Sequence, residues 1–192
     1  LLARMDPIEA AEEMCNSGSP QKAFALLNAV LRDDETEAVL VKAAQVASHH
    51  LRRNLESIDL LERAIQHGKH GVELFEEQLA VAFSPGTRCE LAEVVGGSAA
   101  SQAKLDQLIE RDFQRLPAKL QEDYEARYAE HLVRRERYDE AAEFAYPRLF
   151  TPSGTFAWWK FDINLAYVEA IAGQGRFGEA IQFLKQLREL MQ

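Results

Sequence analysis

The sequence is poor in the residues that organise small disulfide-rich or zinc-bound proteins. Only two of its 192 residues are cysteines, Cys15 and Cys89, and they stand far apart in the chain. Two cysteines exclude a framework of several disulfides and a cysteine-rich zinc module. One bridge between them remains open, but buried free thiols are the commoner state of such cysteines, and we expect that state here.

Long apolar runs are also lacking. No stretch approaches the roughly 20 apolar residues with which a helix spans a bilayer, and no basic segment followed by an apolar run stands at the N-terminus. We therefore expect no direct membrane insertion and a soluble setting, cytoplasmic or, if the source is bacterial, periplasmic. The chain begins with Leu1 rather than Met, so we expect it to be a piece of a longer protein.

Positive charge is scarce. The chain has 22 Lys and Arg residues against 31 Asp and Glu residues, which gives a formal net charge of −9. Its most basic stretch, Arg134 to Arg137, is offset by Glu136 within it and by Asp139 and Glu140 just after it. Because an acidic surface repels nucleic acid and anionic membranes, we expect no nucleic-acid partner.

No group of residues indicates catalysis, a cofactor or a metal. The segment from Gly173 to Gly178 has the glycine spacing of a dinucleotide fingerprint, but a predicted helix precedes it, and the chain ends before the acidic residue expected about 20 positions later. We interpret it as a turn between helices. His67 and His70 stand at a predicted helix end, where an imidazolium ion favours the helix dipole. We therefore predict a protein that is not an enzyme and that has no cofactor or metal site.

What the sequence does contain is a repeat. A turn followed by an apolar pattern at i, i+1, i+4, i+7 and i+8 recurs along the chain, and each copy has a small residue near the start of its helix. Two antiparallel helices joined by a short turn approach closely at that point, where a large side chain would wedge them apart. These small residues, 34, 44, 40 and 39 positions apart in turn, are Ala23, Ser57, Ser101, Ala141 and Ala180.

Each copy predicts one antiparallel pair of helices, and together they predict a single all-α repeat domain over residues 1–192. The extra length in segment 71–83 suits a helix or a short buried extension, and we favour the helix. Proline at Pro7 and Pro117 is typical of a first helical position. The predicted hairpins cover residues 6–34, 36–68, 86–115, 117–150 and 157–191.

The strongest copies resemble the tetratricopeptide repeat (TPR) family. They are Gly175-Arg-Phe-Gly-Glu-Ala180 and Arg137-Tyr-Asp-Glu-Ala141, and the first spacing of 34 residues agrees with the period of that family. The resemblance implies a right-handed α-α superhelix, a TPR-like solenoid of about five hairpins. It also implies a concave face, lined by the first helix of each hairpin, that holds a peptide or a helix of a partner protein.

Carried onto this sequence, the inward positions of that family imply a partner-binding set. The paired Lys and Asn that grip a terminal carboxylate in some members are not reproduced, since Val46 stands four positions after Lys42. We therefore expect no carboxyl-terminal peptide ligand. The implied binding residues are Val39, Lys42, Val46, His49, Glu130, Arg134, Leu165 and Glu169, with Asp123, Ala126, Val133 and Asp162 beside them.

Two apolar features near the C-terminus add to this set. The aromatic group Phe156, Trp158, Trp159, Phe161 and Tyr167 is interpreted as core packing between the last two hairpins, with one Trp exposed if both lie on a helix. The last helix ends with Leu187, Leu190 and Met191 and no polar closing helix, which predicts a continued array or a homo-oligomeric contact.

The leading hypothesis for function is a protein-interaction scaffold or adaptor, set by family analogy in a bacterial assembly, secretion or export complex. The alternative is a regulatory or sensor domain that binds a small ligand or a signal peptide. A saturable rise in melting temperature with a small molecule, and none with proteins, would favour the alternative.

Overall fold

The computed structural model describes residues 6–67, 71–94 and 99–191, and the regular structure within them is helical. They contain no β-strand, only an isolated bridge between Phe150 and Phe156, and no helix among them is long and apolar enough to cross a bilayer. The helices are α1 (Pro7–Asn16), α2 (Pro20–Asp33), α3 (Glu37–Gln45, continued by a π-helical turn, Val46–His50), α4 (Asn54–Gln66), α5 (Val72–Ala82), α6 (Pro85–Val94), α7 (Ala99–Arg115), α8 (Ala118–Arg134), α9 (Tyr138–Ala145, continued by a 3₁₀ turn, Tyr146–Leu149), α10 (Phe161–Gly173) and α11 (Phe177–Leu190).

The predicted all-α class is confirmed, and so is the helix favoured for segment 71–83, which is α5. The chain forms two compact units, residues 1–117 and residues 118–192, where the sequence had suggested a single domain. We call them unit 1 and unit 2 and describe each by itself.

Unit 1 begins with two helical hairpins. Helices α1 and α2 pack against each other, as do α3 and α4, and α3 also contacts both helices of the first hairpin. The core at these contacts contains Leu27, Leu40 and Leu61, each fully buried. Burial of this apolar surface stabilises the pairs by roughly 1.5–3 kcal/mol per large side chain.

The third predicted hairpin, 86–115, corresponds to α6 and α7. Among the described residues, α7 packs against α5, and α6 packs against α4. Helix α5 accounts for this packing. It contacts both α4 and α7, and its apolar side chains Leu74 and Leu79 are buried. The sequence pattern predicted α5 as a helix, but it could not show that α5 packs against α7.

Unit 2 repeats the arrangement of the first two hairpins. Helices α8 and α9 pack together, α10 contacts both of them, and α11 packs on α10. Ala141, Ala145 and Ile171 are buried at these contacts. In both units, therefore, the first helix of one hairpin lies against the first and second helices of the hairpin before it.

Four hairpins share one backbone turn. In each, a residue with left-handed φ ends the first helix and stands five positions before the small residue of the second. Two of these residues are glycines, Gly18 and Gly175, and two are not, Arg52 and Glu136. The next residue donates its N–H to a carbonyl five positions back in three of the turns, from Ser19 to Met14 (2.8 Å), Arg137 to Leu132 (3.0 Å) and Arg176 to Ile171 (3.0 Å). This is the Schellman ending of a helix.

The turn after α3 differs by one residue. There Arg53 donates to the carbonyl of Ala47, six positions back, at 2.9 Å. The π-helical turn at Val46–His50 accounts for the added residue, because a π-helix closes its hydrogen bonds over one more residue than an α-helix.

The small residues occupy the close approach in these four hairpins. Ala23, Ser57, Ala141 and Ala180 are buried, and each donates its N–H to the carbonyl of the residue just before its helix. Ser101 does not share this position. It is only half-buried and lines a shallow depression with Leu55 and Leu91. Its predicted turn at Gly96 and Gly97 lies outside the described residues.

Candidate binding grooves

A cavity of unit 2 lies between its two first helices, α8 and α10. It has a volume of about 320 Å³ and is lined by Ala126, Arg127, Glu130, Asp162, Leu165, Ala166 and Glu169. Five of these side chains are among the inward positions that the sequence implied for the last two hairpins. They meet here because α8 and α10 pack side by side.

A second cavity of about 250 Å³ adjoins the first and shares Ala126 and Asp162 with it. Its other walls come from Glu122 and Glu125 on α8, and from Trp159, Lys160, Phe161 and Ile163 at the start of α10. We call the two cavities together the unit 2 groove. Its α10 wall exposes an apolar ridge made of Trp159, Phe161 and Leu165.

The ridge corrects the interpretation of the aromatic group. Trp158 and Trp159 lie in the turn before α10 rather than on the helix, and both are exposed, with 55% of Trp159 open to solvent. Tyr167 is buried as expected and contacts Phe183, with ring centroids 5.4 Å apart. Phe156 contacts the same ring, with centroids 5.6 Å apart. The group therefore divides into a packed part and an exposed part.

Asn164 holds the turn that presents Trp159. Its buried amide donates hydrogen bonds to the carbonyls of Ala157 (3.0 Å) and Lys160 (2.7 Å), one on each side of the two tryptophans. Ala157 in turn donates its N–H to the carbonyl of Leu149 (2.7 Å). The turn is thus fixed to the protein at both ends, and the groove wall exists before any ligand binds.

Ion pairs neutralise part of the groove wall. Glu125 accepts a hydrogen bond from Arg148 Nε at 2.8 Å and lies 3.8 Å from the ammonium of Lys160. Glu130 pairs with Arg134 one turn away on α8. Arg134 itself is exposed and does not line either cavity.

Unit 1 has a more polar cavity of about 420 Å³. It contains three of the four residues that the sequence implied for the second hairpin: Lys42, Val46 and His49. The fourth, Val39, is buried and does not line this cavity. Lys42 pairs with Glu12 from α1, so its charge is already compensated.

Cys15 lines the same cavity and is half-buried, whereas Cys89 is exposed, and both are free thiols. Both thiols are free, as expected, but neither is fully buried. Burial raises the pKa of the Cys15 thiol, with Lys42 acting in the opposite direction. The described residues contain no group of three or more His, Cys, Asp or Glu side chains suited to a metal ion.

A partly buried ionic cluster in unit 1 was not predicted from the sequence. Arg111 on α7 donates two hydrogen bonds to Glu62 on α4, at 2.7 and 2.8 Å, and a third to Gln78 on α5 at 3.0 Å. It also contacts Oδ1 of Asp112 at 2.6 Å. Asp112 is fully buried, and its Oδ2 has no hydrogen-bond partner among the described residues.

The cluster shifts the acidity of its carboxyl groups in opposite directions. Burial raises the pKa of Asp112 to about 6, although Arg111 works against the shift. The hydrogen bonds from Arg111 hold the pKa of Glu62 below its usual range. In the sequence, Arg111 and Asp112 look like ordinary residues of a helix surface, and no neighbouring residue indicates that Asp112 is buried. We assign this cluster to the joining of α4, α5 and α7.

No protein-family model, no curated protein and no solved structure matches this chain. The candidate function therefore rests on the geometry of the grooves.

Proposed function

We propose that the protein is a non-catalytic scaffold or adaptor that binds a peptide or a helix of a partner protein through the unit 2 groove. The observation that carries this proposal is the apolar ridge of Trp159, Phe161 and Leu165 beside two adjoining cavities. Exposed aromatic side chains on a fixed backbone supply contact area at low entropic cost, and Trp is enriched among the residues that dominate binding energy.

We propose further that the hairpins stack as in tetratricopeptide repeats. Two features of each unit support this. The first helix of a later hairpin contacts both helices of the earlier one, and the small residues Ala23, Ser57, Ala141 and Ala180 are buried at the hairpin close approach. The common left-handed turn five residues before each of them adds a third similarity.

A displayed library of random peptides, panned on the immobilised protein, tests binding at the groove. Selected peptides are synthesised with a fluorophore, and their affinity is measured by anisotropy for the wild type and for Trp159→Ala. Loss of a dominant aromatic contact weakens binding about tenfold or more. Failure to enrich any peptide, or equal affinity for both proteins, contradicts the proposal.

Phe177→Ala is the matched control. Phe177 is an aromatic residue of α11 that is 64% exposed and lines neither cavity of the groove. Its removal changes exposed aromatic area by a similar amount, and we expect the selected peptides to bind this variant as they bind the wild type. Melting temperatures of both variants close to that of the wild type show that the fold is retained.

The unit 1 cavity supports a second candidate, a domain that senses a small polar ligand. Its volume of about 420 Å³ falls within the usual range of small-molecule sites, roughly 300–1,000 Å³. A panel of polar metabolite-like compounds tests this candidate by thermal shift. A saturable rise in melting temperature that Lys42→Ala abolishes supports it, and no rise with any compound counts against it.

A further inference from the structure

The unit 2 groove has more negative than positive charge. Five carboxylates and two cations line its two cavities, which leaves a net charge of −3. Two of the carboxylates, Glu125 and Glu130, are held in ion pairs. The other three make no ion pair among the described residues, and they stand on both walls: Glu122, Asp162 and Glu169.

The acids on each wall, including the paired Glu130, are spaced by about two helical turns. Glu122 and Glu130 stand eight positions apart on α8, a rise of about 12 Å, and Asp162 and Glu169 stand seven positions apart on α10, a rise of about 10 Å. Leu165 lies between the two acids of α10 and is 38% exposed. Each wall thus carries acids at its ends, and the α10 wall has an apolar side chain between them.

A basic amphipathic helix has the complementary pattern. Residues i and i+7 of a helix lie on one face about 10 Å apart, with residues i+3 and i+4 between them, and these are the anchor positions of helices bound in grooves. Arginine or lysine at i and i+7 would meet the unpaired carboxylates. An apolar residue at i+3 or i+4 would pack on Leu165.

We propose that the partner segment held by the unit 2 groove is a basic amphipathic helix, with cations two turns apart and an apolar residue between them. This inference rests on the proposed function and specifies its ligand. The exposed rings of Trp159 and Phe161 favour the same ligand, because aromatic faces attract guanidinium and ammonium groups and pack on their aliphatic stems.

The test uses two labelled helical peptides of about 18 residues that differ only at the charged positions. One has arginine at i and i+7 with leucine at i+3 and i+4, and the other has glutamate in place of arginine. We expect the arginine peptide to bind at least tenfold more tightly. Equal binding of the two peptides, or tighter binding of the glutamate peptide, overturns the proposal.

A triple amide variant locates the effect. Each exposed ion pair contributes up to about fivefold in Kd, so Glu122→Gln with Asp162→Asn and Glu169→Gln should weaken the arginine peptide about tenfold. The matched control changes the net charge equally at positions that line neither cavity: Glu136→Gln, Glu143→Gln and Glu189→Gln. If both triple variants lose the same affinity, the attraction is general and the groove assignment is wrong.

Salt and self-association complete the test. Raising the salt concentration from about 0.1 M to about 1 M shortens the Debye length from about 10 Å to about 3 Å, and we expect the binding of the arginine peptide to weaken accordingly.

If the protein self-associates in sedimentation and Trp159→Ala abolishes this, the occupant of the groove is a second copy of the chain and the basic-helix proposal is wrong.

The outcome separates the two proposals. If library peptides that depend on Trp159 prove neutral or acidic, the groove binds peptides and only the basic-helix inference fails. If no peptide, basic or other, depends on Trp159, both proposals fail together.

Discussion

The ring of Tyr138 fills the space that a side chain on Gly173 would need. A Cβ atom built on Gly173 would lie 2.3 Å from Cδ1 of Tyr138, far inside van der Waals contact. Tyr138 belongs to one of the two strongest repeat motifs of the sequence, and Gly173 stands two residues before the other. Their contact joins α9 to the end of α10. A glycine at this position is therefore a packing requirement of unit 2.

We expect Gly173→Ala to destabilise the protein by about 1–3 kcal/mol, the usual result of overpacking a contact. Gly178→Ala is the control, because nothing lies within 4 Å of a Cβ there and the residue lies in the first turn of α11. Alanine favours a helix over glycine by up to about 1 kcal/mol, so Gly178→Ala should stabilise. Urea unfolding midpoints measure both, and a destabilisation by Gly178→Ala equal to that by Gly173→Ala would contradict this explanation.

The left-handed turns predict opposite effects for opposite substitutions. Glu136 has φ 57° and Gly175 has φ 80° at equivalent places in their hairpins. A side chain in this region costs roughly 1–2 kcal/mol, and the added freedom of glycine in the unfolded chain offsets about 0.4–1 kcal/mol of that. Glu136→Gly should therefore stabilise by up to about 1 kcal/mol, and Gly175→Ala should destabilise by a similar amount.

Thermal unfolding of these two variants gives the measurement. No atom lies within 4 Å of a Cβ on Gly175, so a clash cannot account for a loss of stability there. A lower melting temperature for Glu136→Gly would show that its side chain contributes more than the backbone strain costs.

The buried Asp112 predicts stability that falls as the pH rises. Its pKa in the folded protein is raised to about 6, above the ordinary value near 3.9, so between these values the folded state binds more protons than the unfolded state. The free energy of unfolding then decreases with pH. The contribution present below pH 4 is lost above pH 6 and amounts to up to about 3 kcal/mol.

Asp112→Asn isolates this contribution. Other carboxyls, including Glu62, have lowered pKa values and act in the opposite sense, so the wild-type curve alone mixes both effects. We expect the stability difference between Asp112→Asn and the wild type to shift in favour of the variant from pH 4 to pH 7. Urea unfolding at several pH values measures it, and a difference that does not change with pH would show that Asp112 titrates normally.

Removal of Arg111 should destabilise unit 1. Arg111→Met would leave Glu62, Gln78 and Asp112 without their common partner, and because Arg111 and Glu62 are partly exposed, we expect a loss of about 1–3 kcal/mol, the usual cost of an unsatisfied buried polar group. Arg176→Met is the control, because Arg176 pairs with Glu179 on the surface, where such pairs contribute little. Urea unfolding of both variants gives the comparison, and equal midpoints would mean that the Arg111 cluster is energetically minor.

Much of the helical structure could be predicted because its signals are local. Pro7 was predicted as a first helical position, and α1 begins there. The small residue near the start of each repeated helix likewise predicted that Ala23 and Ala180 lie at close approaches, and both are buried. The inward positions Glu130, Leu165 and Glu169 came from the family resemblance, and the packing of α8 beside α10 places them around one cavity.

Other features depend on contacts between residues distant in sequence. The letters Trp158-Trp159 favour a core, yet hydrogen bonds from Asn164 to Ala157 and Lys160 hold the preceding turn so that both rings are exposed. Arg111 and Asp112 look like a solvated pair in the sequence, yet the packing of unit 1 buries Asp112 completely. The left-handed φ of Arg52 and Glu136 also goes against the preference of their side chains.

The sequence by itself determined the helices and the positions of most turns, because hydrogen bonding within a helix and the packing of its apolar stripe depend on residues a few positions apart. Only the tertiary structure decided that α7 packs on α5, that Asp112 is buried beside Arg111, and that Trp159 and Leu165 form one exposed wall. These outcomes depend on which helix faces meet, and that choice is made by the summed burial of side chains from separate parts of the chain.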